Sequence, residues 1–586
     1  MEKGLVPLKD LVIGDRTFEI PIYQRNYSWE KNQWEDLWND LLYLDVGKRH
    51  YFGTLLMKET GRLKRSGLKS FGVYELIDGQ QRLSTTLILV KEIMAQLGKI
   101  DDENVRAELI DLEKNYLKYR EVYKLELLGD DSEFFRRYVI DDMEYPDEVL
   151  TPSQRRLKEA KIFFRTKLEE IKKADPNHFR DFLIQLKEKI DNLEIIRYIV
   201  GNDSDAVLIF ETVNDRGKLL SRLEKTKSFL MHLVYLSEPT DPADSLRQVN
   251  ESFSRIFRYL EGIQTNERGR NLHEEDIQRY HFVTCEAEGD RDTSYTYLDF
   301  LKGKIRDIYR SGEQQKCLEY VLEYTKSLEK AFFALKEIVT YDLNDEVGTW
   351  LKKSFTLERV AGFFPLLMET WIKFKNEKEK MTEILRLLEI FTLRVYVVGR
   401  RRADTGESRA YRLAYKVHRH SLEFDEITQD LKYFANEYEN NEDFQRDIKV
   451  ENFYSKIGNR DIKYILFEYE KYLREQAREP LEIDLDSILS EEFQIEHIWP
   501  QNPEQLPDNL KEIHEHCRDR LGNLTLASKS WNVKWGNCRF EIKREKYQDS
   551  VLRVQKELSN LKQWGKEQIE KREEQIAKFA MERWKI

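Results

Sequence analysis

Apolar residues recur three and four positions apart along most of the chain, which is the spacing of one face of an α-helix. In residues 26–44 this spacing predicts a helix whose buried face carries Trp34, Leu37, Trp38, Leu41 and Leu42. A second helix is predicted after Asp78 and Gly79, with its end near Gly98. Its buried face carries Leu83, Leu87, Val90, Met94 and Leu97. From 246 to 475 the same period predicts a succession of long helices.

Short apolar runs, which predict strands, are few. Four lie in the first half of the chain, at 18–23, 51–57, 73–77 and 193–200. Two more, FQIEHI at 493–498 and LGNLTLAS at 521–528, precede a helical pattern at 528–537. The order near the carboxyl end is therefore strand, strand, helix. The predicted fold is mainly α-helical with small α+β parts.

The length of 586 residues exceeds what one hydrophobic core usually serves, so several domains are expected. Two polar stretches with prolines, SEPTDPADS at 237–245 and REPLEIDLDS at 478–487, interrupt the apolar period. We predict an N-terminal α+β domain at 1–236, a helical scaffold at 246–475 and a C-terminal α+β domain at 476–586.

The net charge of −11 argues against a cationic coat over the whole protein, because unspecific nucleic-acid affinity comes from Lys and Arg side chains that replace phosphate counterions. Any contact with nucleic acid must therefore be local. The stretch 399–420 is the best candidate, with Arg400, Arg401 and Arg402 as ligands of a DNA backbone. A solvated helix face explains the same charges equally well.

Four cysteines, Cys285, Cys317, Cys517 and Cys538, have no paired short spacing, which favours a reducing compartment over a disulfide framework. No run of about 20 apolar residues occurs, as a membrane span would need. The first 15 residues carry no apolar signal segment. We expect a cytoplasmic protein with no membrane partner.

Residues suited to phosphodiester hydrolysis lie near the carboxyl end. That chemistry needs an activated water and a divalent cation near the phosphate. Glu496 and His497 are adjacent on a predicted strand, where neighbouring side chains point to opposite faces. A bend at the strand end, beside Pro500, would bring both side chains into one site.

Glu496-His497, Asn523 and Asn532, in the order strand, strand, helix, resemble the HNH, or ββα-metal, nucleases. The resemblance implies that His497 is the general base and that Asn523 holds the base-bearing loop in shape. It also implies that Glu496 and Asn532 bind Mg²⁺ or Mn²⁺ through oxygen atoms. Asn537 is a second candidate for the helix ligand. The motif's nominal histidine is replaced by Asn532, which leaves the choice of metal open.

An alternative metal site is a structural zinc centre formed by His514, His516, Cys517 and Cys538. Zinc ligands normally come as two closely spaced pairs, and Cys538 lacks a near partner. These four side chains are more typical of loop and core positions.

The turn formed by Asp78, Gly79, Gln80, Gln81 and Arg82 places a carboxylate, two amides and a guanidinium between a strand and a helix. Free N–H groups at a helix start attract anions, and an arginine can bind a phosphate through two hydrogen bonds. The chain has no P-loop motif, so a nucleotide would bind in another way. The alternative is structural, with Asp78 as the helix cap and Arg82 in a surface ion pair.

Four segments, IPIYQRNYSWE at 20–30, HYFGTLLM at 50–57, IDGQQRLSTT at 77–86 and IFETVNDRGKLLS at 209–221, together resemble the N-terminal domain of GmrSD-type modification-dependent restriction endonucleases. That domain has a ParB-like fold, and the resemblance implies that it binds or hydrolyses an NTP (GTP, UTP or ATP) and helps to sense modified DNA. The pocket residues that it implies are Gln24, Arg25, Asp78, Gly79, Gln80, Gln81, Arg82, Asn214, Arg216 and Gly217. Its aromatic walls would be Tyr23, Tyr27 and Trp29, although core packing is the stronger expectation for Trp29.

These features predict a type IV restriction enzyme, a phage-defence HNH endonuclease that cuts modified DNA and is gated by a nucleoside triphosphate. Two alternatives stay open: a phosphorothioate-sensing nuclease of the same architecture, and a nucleotide-responsive regulator that binds nucleic acid. RNA as the substrate and a homo-oligomeric assembly are also compatible with the sequence.

Overall fold

The computed structural model describes residues 2–21, 24–44, 50–100, 103–144, 151–200, 221–238, 242–290, 295–420, 422–503 and 506–586. The chain forms two compact units. The first unit holds residues 1–265, 272–278 and 298–332, and the second holds 266–271, 279–297 and 333–586. The predicted domain boundaries at 237–245 and 478–487 stay predictions.

A six-stranded mixed sheet organises the first unit. Its strands and those of a small hairpin are β1 (Glu2–Pro7), β2 (Arg16–Glu19), β3 (His50–Ser66), β4 (Lys69–Asp78), β5 (Lys118–Tyr119), β6 (Val122–Tyr123), β7 (Leu125–Glu126) and β8 (Leu193–Val200). The sheet order is β1-β8-β3-β4-β2-β7, and β5 pairs with β6 separately. The strands predicted at 51–57 and 193–200 are confirmed as neighbours, since β3 runs parallel to β8. The run at 18–23 overlaps a strand only at its start.

Helices dominate both units, which confirms the mainly α-helical prediction. They are α1 (Leu8–Val12), α2 (Lys31–Tyr43), α3 (Gln80–Leu97), α4 (Glu103–Leu112), α5 (Asp130–Phe134), α6 (Pro152–Ala174), α7 (Phe179–Asp191), α8 (Arg222–Ser237), α9 (Ala243–Gln264), α10 (Glu274–Cys285), α11 (Tyr297–Arg310), α12 (Gln314–Thr340) and α13 (Glu346–Thr356). The series continues with α14 (Phe364–Phe374), α15 (Lys378–Phe391), α16 (Glu407–His420), α17 (Phe424–Tyr438), α18 (Asn441–Asp447), α19 (Phe453–Lys456), α20 (Asn459–Ala477), α21 (Leu485–Leu489), α22 (Lys511–Cys517), α23 (Lys529–Trp535), α24 (Phe540–Tyr547), α25 (Arg553–Ser559) and α26 (Lys566–Arg583). Of the helices in the described ranges, none combines the length and apolarity needed to cross a membrane.

Helix α3 lies in the core of the first unit and is buried on nearly all sides. It starts directly after Gly79, whose φ of 91° lies in the left-handed region that L side chains rarely adopt. Its predicted apolar face is buried, except that Met94 is only partly so. Helices α6 and α7 pack against it, and the helix ends at Gly98 as predicted.

The predicted strand, strand, helix order is present near the carboxyl end of the second unit. β9 (Phe493–His497) pairs antiparallel with β10 (Leu524–Ser528), and α23 follows β10 directly. Leu524 and Leu526 of β10 are fully buried in the core of this unit, together with apolar residues of α20 and α26. This packing fixes one face of the strand pair.

The loop before β10 is held against the last helix, α26. Gly522 in this loop has no room for a side chain, because a Cβ atom there would lie 2.2 Å from the Ile569 carbonyl oxygen. Arg572 of α26 is buried and donates to the carbonyl oxygens of Gly522 and Leu524, each at 2.7 Å. The start of β10 is therefore anchored by a side chain from a distant part of the sequence.

We expect Gly79→Ala to lower the free energy of unfolding by about 1–3 kcal/mol, because the left-handed backbone is strained for any residue with a Cβ atom. The new Cβ would also lie 1.9 Å from Leu55 Cδ2 and 3.0 Å from the Thr54 carbonyl oxygen. Denaturant unfolding measures the change. Gly303→Ala is the control, since a Cβ there meets nothing within 4 Å. An unchanged midpoint for Gly79→Ala would contradict the assigned turn.

Candidate functional site

The pleat of β9 separates the two adjacent residues predicted to act in catalysis. β9 stays paired with β10 through Glu496, opposite Thr525, and through His497, opposite Leu524. Consecutive side chains of a paired strand point to opposite faces. The chain bends at Ile498 and Trp499, directly before Pro500 and after the last paired residue of β9. Within the paired strand the pleat still directs Glu496 and His497 to opposite faces.

The ring of His497 is buried against Tyr454 and Asp519. The centroids of the His497 and Tyr454 rings are 4.5 Å apart at an angle of 78°, and Nε2 lies 3.4 Å from Asp519 Oδ1. Burial lowers the pKa of His497 to about 4, although the Asp519 carboxylate acts in the opposite direction. The imidazole is therefore neutral near neutral pH, which is the form that accepts a proton.

On the other face of β9, Glu496 forms a buried ion pair with Lys543 of α24. The exposed fractions of the two side chains are only 5% and 0%. Burial raises the pKa of the Glu496 carboxyl, and Lys543 opposes this shift. Lys543 Nζ also donates to the His497 carbonyl oxygen at 2.7 Å. One ammonium group therefore holds both the carboxylate and the end of the strand.

Asn532 of α23 lies on the Glu496 side of the strand pair. Its Nδ2 donates to Gln494 Oε1 at 2.7 Å, and Gln494 shares a face with Glu496 because the two are two positions apart on β9. The carboxylate and amide oxygens on this face are hard ligands of the kind that Mg²⁺ and Mn²⁺ take. Glu496 and Asn532 therefore carry donor atoms that suit such a cation. The Lys543 ammonium would compete with the cation for the Glu496 carboxylate.

Asn523 fixes the loop that follows β9. Its side chain is fully buried and makes four hydrogen bonds. Oδ1 accepts from the Trp499 backbone N–H at 2.8 Å and from Trp564 Nε1 at 3.0 Å. Nδ2 donates to the carbonyl oxygens of Trp499 at 2.9 Å and Arg518 at 2.8 Å. This amide joins the chain directly after His497 to the segment that carries Asp519.

The alternative zinc centre is not formed. Across the part of the chain that the structure describes, no three His, Cys, Asp or Glu side chains are placed to hold a metal ion. His514 Nε2 lies 2.7 Å from the Pro500 carbonyl oxygen, and the exposed His516 has its Nδ1 2.8 Å from the Glu512 carbonyl oxygen. Both imidazoles are thus engaged with backbone groups.

In the first unit, the two glutamines of the predicted turn shape a neighbouring loop. Gln80 Nε2 donates to the Arg25 carbonyl oxygen at 2.8 Å. Gln81 accepts from the Ser28 N–H at 2.8 Å and donates to the Asn26 carbonyl oxygen at 3.1 Å. Both side chains are buried, so their hydrogen bonds fix the backbone of the loop that carries Arg25.

Arg82 of this turn, and Gln24 in the neighbouring loop, also form hydrogen bonds within the protein. Arg82 Nη2 contacts Asp78 Oδ2 at 3.1 Å and the Thr54 carbonyl oxygen at 2.7 Å. Gln24 is buried, with its amide donating to the Ile77 carbonyl oxygen. Asp78 does not cap α3, since Gly79 occupies the cap position.

Arg25 borders a cavity of about 380 Å³ in the first unit. Its other polar lining includes Asp131, Glu224, Lys227 and Arg258, and Phe257 supplies an apolar wall. Small-molecule sites in proteins typically measure about 300–1,000 Å³. The cavity is large enough for a ligand of that class.

Two buried charged residues give this cavity its chemistry. Lys227 is 3% exposed and donates to the Gln24 carbonyl oxygen at 3.2 Å, and burial lowers its pKa to about 8. Asp131 is 2% exposed, its Oδ2 has no hydrogen-bond partner, and burial raises its pKa to about 6. Arg25 Nη1 lies 3.9 Å from Glu224. The cavity wall therefore offers buried cations together with an unused carboxylate oxygen.

Sequence reasoning missed Asp131, Glu224 and Lys227. Each lies in a segment whose spacing predicts only helix, and nothing in the pattern marks it as a ligand. Of the remaining predicted pocket residues, Asn214, Arg216, Gly217 and Tyr23 lie outside the described residues. Tyr27 does border the cavity, whereas Trp29 packs partly buried against the core, as expected.

The arginines predicted to bind a DNA backbone are exposed but engaged. Arg400 lies 3.5 Å from Asp447, and Arg402 lies 3.2 Å from Asp404. Arg401 donates to the Tyr438 carbonyl oxygen at 3.2 Å. Two of the three positive charges therefore have an acidic neighbour, which favours the alternative of a solvated surface.

Comparison with protein families places the chain among the restriction endonucleases. The model described as GmrSD restriction endonuclease, N-terminal domain, matches residues 8–231. The model described as GmrSD restriction endonucleases, C-terminal domain, matches residues 438–579. A comparison with curated proteins gave no match.

The chain belongs to the GmrSD restriction endonucleases and carries both domains in one polypeptide. The resemblance to the GmrSD restriction endonucleases found in the sequence is thereby confirmed. Membership makes the protein a nuclease of phage defence, with DNA as its partner. The cavity with Arg25 lies mainly within the first matched region, and β9, β10 and α23 lie within the second.

We expect Asn523→Ala to destabilise the second unit by about 1–3 kcal/mol for each buried partner left without a hydrogen bond. Trp499 and Trp564 are among those partners, so tryptophan fluorescence during denaturant unfolding reports the change. Asn537→Ala is the matched control, because Asn537 is exposed. Equal unfolding midpoints for the two variants would show that Asn523 does not hold the loop.

Proposed function

We propose that the C-terminal region cuts DNA by hydrolysing a phosphodiester bond, as an HNH nuclease, with His497 as the general base. The main support is the buried neutral imidazole at the end of β9. Such a ring takes a proton from water, and the Asp519 carboxylate near Nε2 stabilises the imidazolium that forms. Asn523 acts as a positioning residue, because it holds the backbone that follows His497.

Glu496 and Asn532 would hold Mg²⁺ or Mn²⁺, which when bound supplies positive charge to stabilise the phosphate and the leaving oxygen. Lys543 has to release Glu496 before a cation is held there, since the ammonium occupies the carboxylate. Glu496 and His497 lie on opposite faces, so the end of β9 must also turn if both are to serve one phosphodiester.

The cavity bordered by Arg25 and Lys227 is proposed to bind the nucleoside triphosphate (GTP, UTP or ATP) that gates cleavage. Support comes from its volume and from its buried cations, which suit a phosphate in a weakly solvated place. Gln80 and Gln81 position the loop that carries Arg25. Asp78 and Arg82 act on this site indirectly, by fixing the turn that presents both glutamines.

Modified DNA is the proposed target, with a sulfur-modified backbone as the alternative. One experiment separates these targets and also tests the regulator hypothesis. The purified protein is incubated with unmodified, hydroxymethylated, glucosylated and phosphorothioated DNA, and with RNA, each with and without Mg²⁺ and each NTP. Cleavage of none of them, with NTP binding intact, would favour a regulator with a degenerate nuclease.

We expect His497→Ala to lower the rate of DNA cleavage about 10²–10⁴-fold, the usual contribution of a general base. Cleavage by the unchanged protein should require Mg²⁺ or Mn²⁺ and stop on chelation. The matched control is His516→Ala, which removes an exposed imidazole from the same region. NTP binding should be unchanged in both variants. Cleavage by His497→Ala at the original rate would place the base elsewhere.

We expect Arg25→Ala or Lys227→Met to weaken NTP binding about 10–100-fold, because each removes a charge-assisted hydrogen bond worth about 1.5–3 kcal/mol. Equilibrium binding of a fluorescent NTP measures the effect. Arg247→Ala is the control, because Arg247 pairs with Asp244 and neither residue lines the cavity. Unaltered affinity in both cavity variants would assign the nucleotide to another site.

A further inference from the structure

We propose that Cys285, His418 and Glu369, in the second unit, form a reactive thiol site at which hydrogen peroxide oxidises Cys285. The site uses none of the residues assigned to DNA cleavage or to nucleotide binding. Its support is a contiguous chain of a nucleophile, an imidazole and a carboxylate.

Three helices bring these groups together. Cys285 is the last residue of α10, His418 lies in the last turn of α16, and Glu369 lies in α14. Cys285 Sγ is 3.5 Å from His418 Nε2, and His418 Nδ1 is 3.1 Å from Glu369 Oε2. A nucleophile in reach of a base that a third group orients is the arrangement that activates thiols in enzymes.

The electrostatics of the cluster favour a thiolate. Burial alone would raise the pKa of the Cys285 thiol, but the imidazoles of His281 and His418 outweigh it and lower that pKa to about 6. The Cys285 and Glu369 side chains raise the pKa of His418 to about 10, against the effect of burial. Arg419 contributes a further positive charge, and its Nη2 donates to the Cys285 carbonyl oxygen at 2.8 Å. Near neutral pH the pair is therefore a thiolate and an imidazolium.

Accessibility restricts the oxidant to a small molecule. Cys285 is 5% exposed, whereas the side chain of His418 is 28% exposed and borders the thiol. So small an exposed fraction excludes a bulky electrophile and leaves small uncharged oxidants, such as hydrogen peroxide, as the reagents that suit the site. Burial thus selects peroxide over larger thiol reagents.

The reaction is balanced by groups in the cluster. The Cys285 thiolate attacks one peroxide oxygen, an S–O bond forms and the O–O bond breaks. The leaving hydroxide takes the proton from His418 and departs as water, so that a sulfenic acid and a neutral imidazole remain. Sulfur loses two electrons and the peroxide gains them. Glu369 keeps the His418 ring oriented throughout, as a positioning residue.

The test exposes the folded full-length protein to hydrogen peroxide at pH 7, stops the reaction with catalase, denatures the protein and alkylates the remaining thiols. Mass spectrometry then gives the rate of thiol loss at each cysteine. We expect Cys285 to be oxidised about tenfold or more faster than Cys538, although Cys538 is the more exposed of the two. The difference should vanish when the protein is denatured before oxidation. Equal rates in the folded protein would overturn the proposal.

Variants separate activation from packing. His418→Gln should lower the Cys285 rate about tenfold and leave the Cys538 rate unchanged, because the thiolate fraction falls when the imidazolium is lost. Glu369→Gln should move the pH profile of Cys285 oxidation upward. For the unchanged protein, a profile with its midpoint near the ordinary thiol pKa of about 8.5 would overturn the proposal even if a variant failed to fold.

Discussion

A paired β-strand presents its side chains alternately to two faces, and this constraint decides the layout of the nuclease region. In β9 the imidazole of His497 therefore lies on one face of the strand pair and the carboxylate of Glu496 on the other. Asp519 and Tyr454 are the neighbours of the imidazole on one side, and Lys543 pairs with the carboxylate on the other. A buried charge without a partner costs several kcal/mol, so Lys543 is what allows Glu496 to be buried at all.

In both units of this protein, buried side-chain amides hold loop backbone in place through hydrogen bonds. Asn523 binds two backbone carbonyl oxygens and one backbone N–H, and Gln80 and Gln81 do the same for the loop at 25–28. An amide carries both donors and an acceptor and no charge, so it can be buried against irregular backbone without a counterion. Each of the two loops borders a candidate site, so buried amides shape the backbone at both sites.

Local sequence patterns predicted where helices and strands lie better than they predicted which residues these contact. The spacing of apolar residues predicted α3, β8 and the order of β9, β10 and α23, because burial of one face leaves a period in the sequence. The bend expected beside Pro500 is present at Ile498 and Trp499, but no local pattern showed that Lys543, 46 positions from His497, holds the end of the strand. For the same reason no local signal marked Asp131 and Lys227, which meet only when α5 and α8 fold together around the cavity.

A run of charges in the sequence does not show which of them already have a partner. Arg400 and Arg402 form a conspicuous cluster in the sequence, yet in the structure each has an acidic neighbour. By contrast, Cys285, Glu369 and His418 are isolated along the chain and adjacent in space. Which charges remain available to a partner is decided by tertiary contacts, and a single sequence does not encode these as a motif.

The hydrogen bond from Gln80 to the Arg25 carbonyl oxygen ties the cavity wall to helix α3. Gln80 is the first residue of α3, which is buried on nearly all sides, and Arg25 lines the cavity. A ligand that draws Arg25 into the cavity would therefore also load the hydrogen bond to Gln80, at the start of a helix that the core holds in place. Arg25 in the cavity wall is thus joined by one hydrogen bond to the buried helix of the same unit.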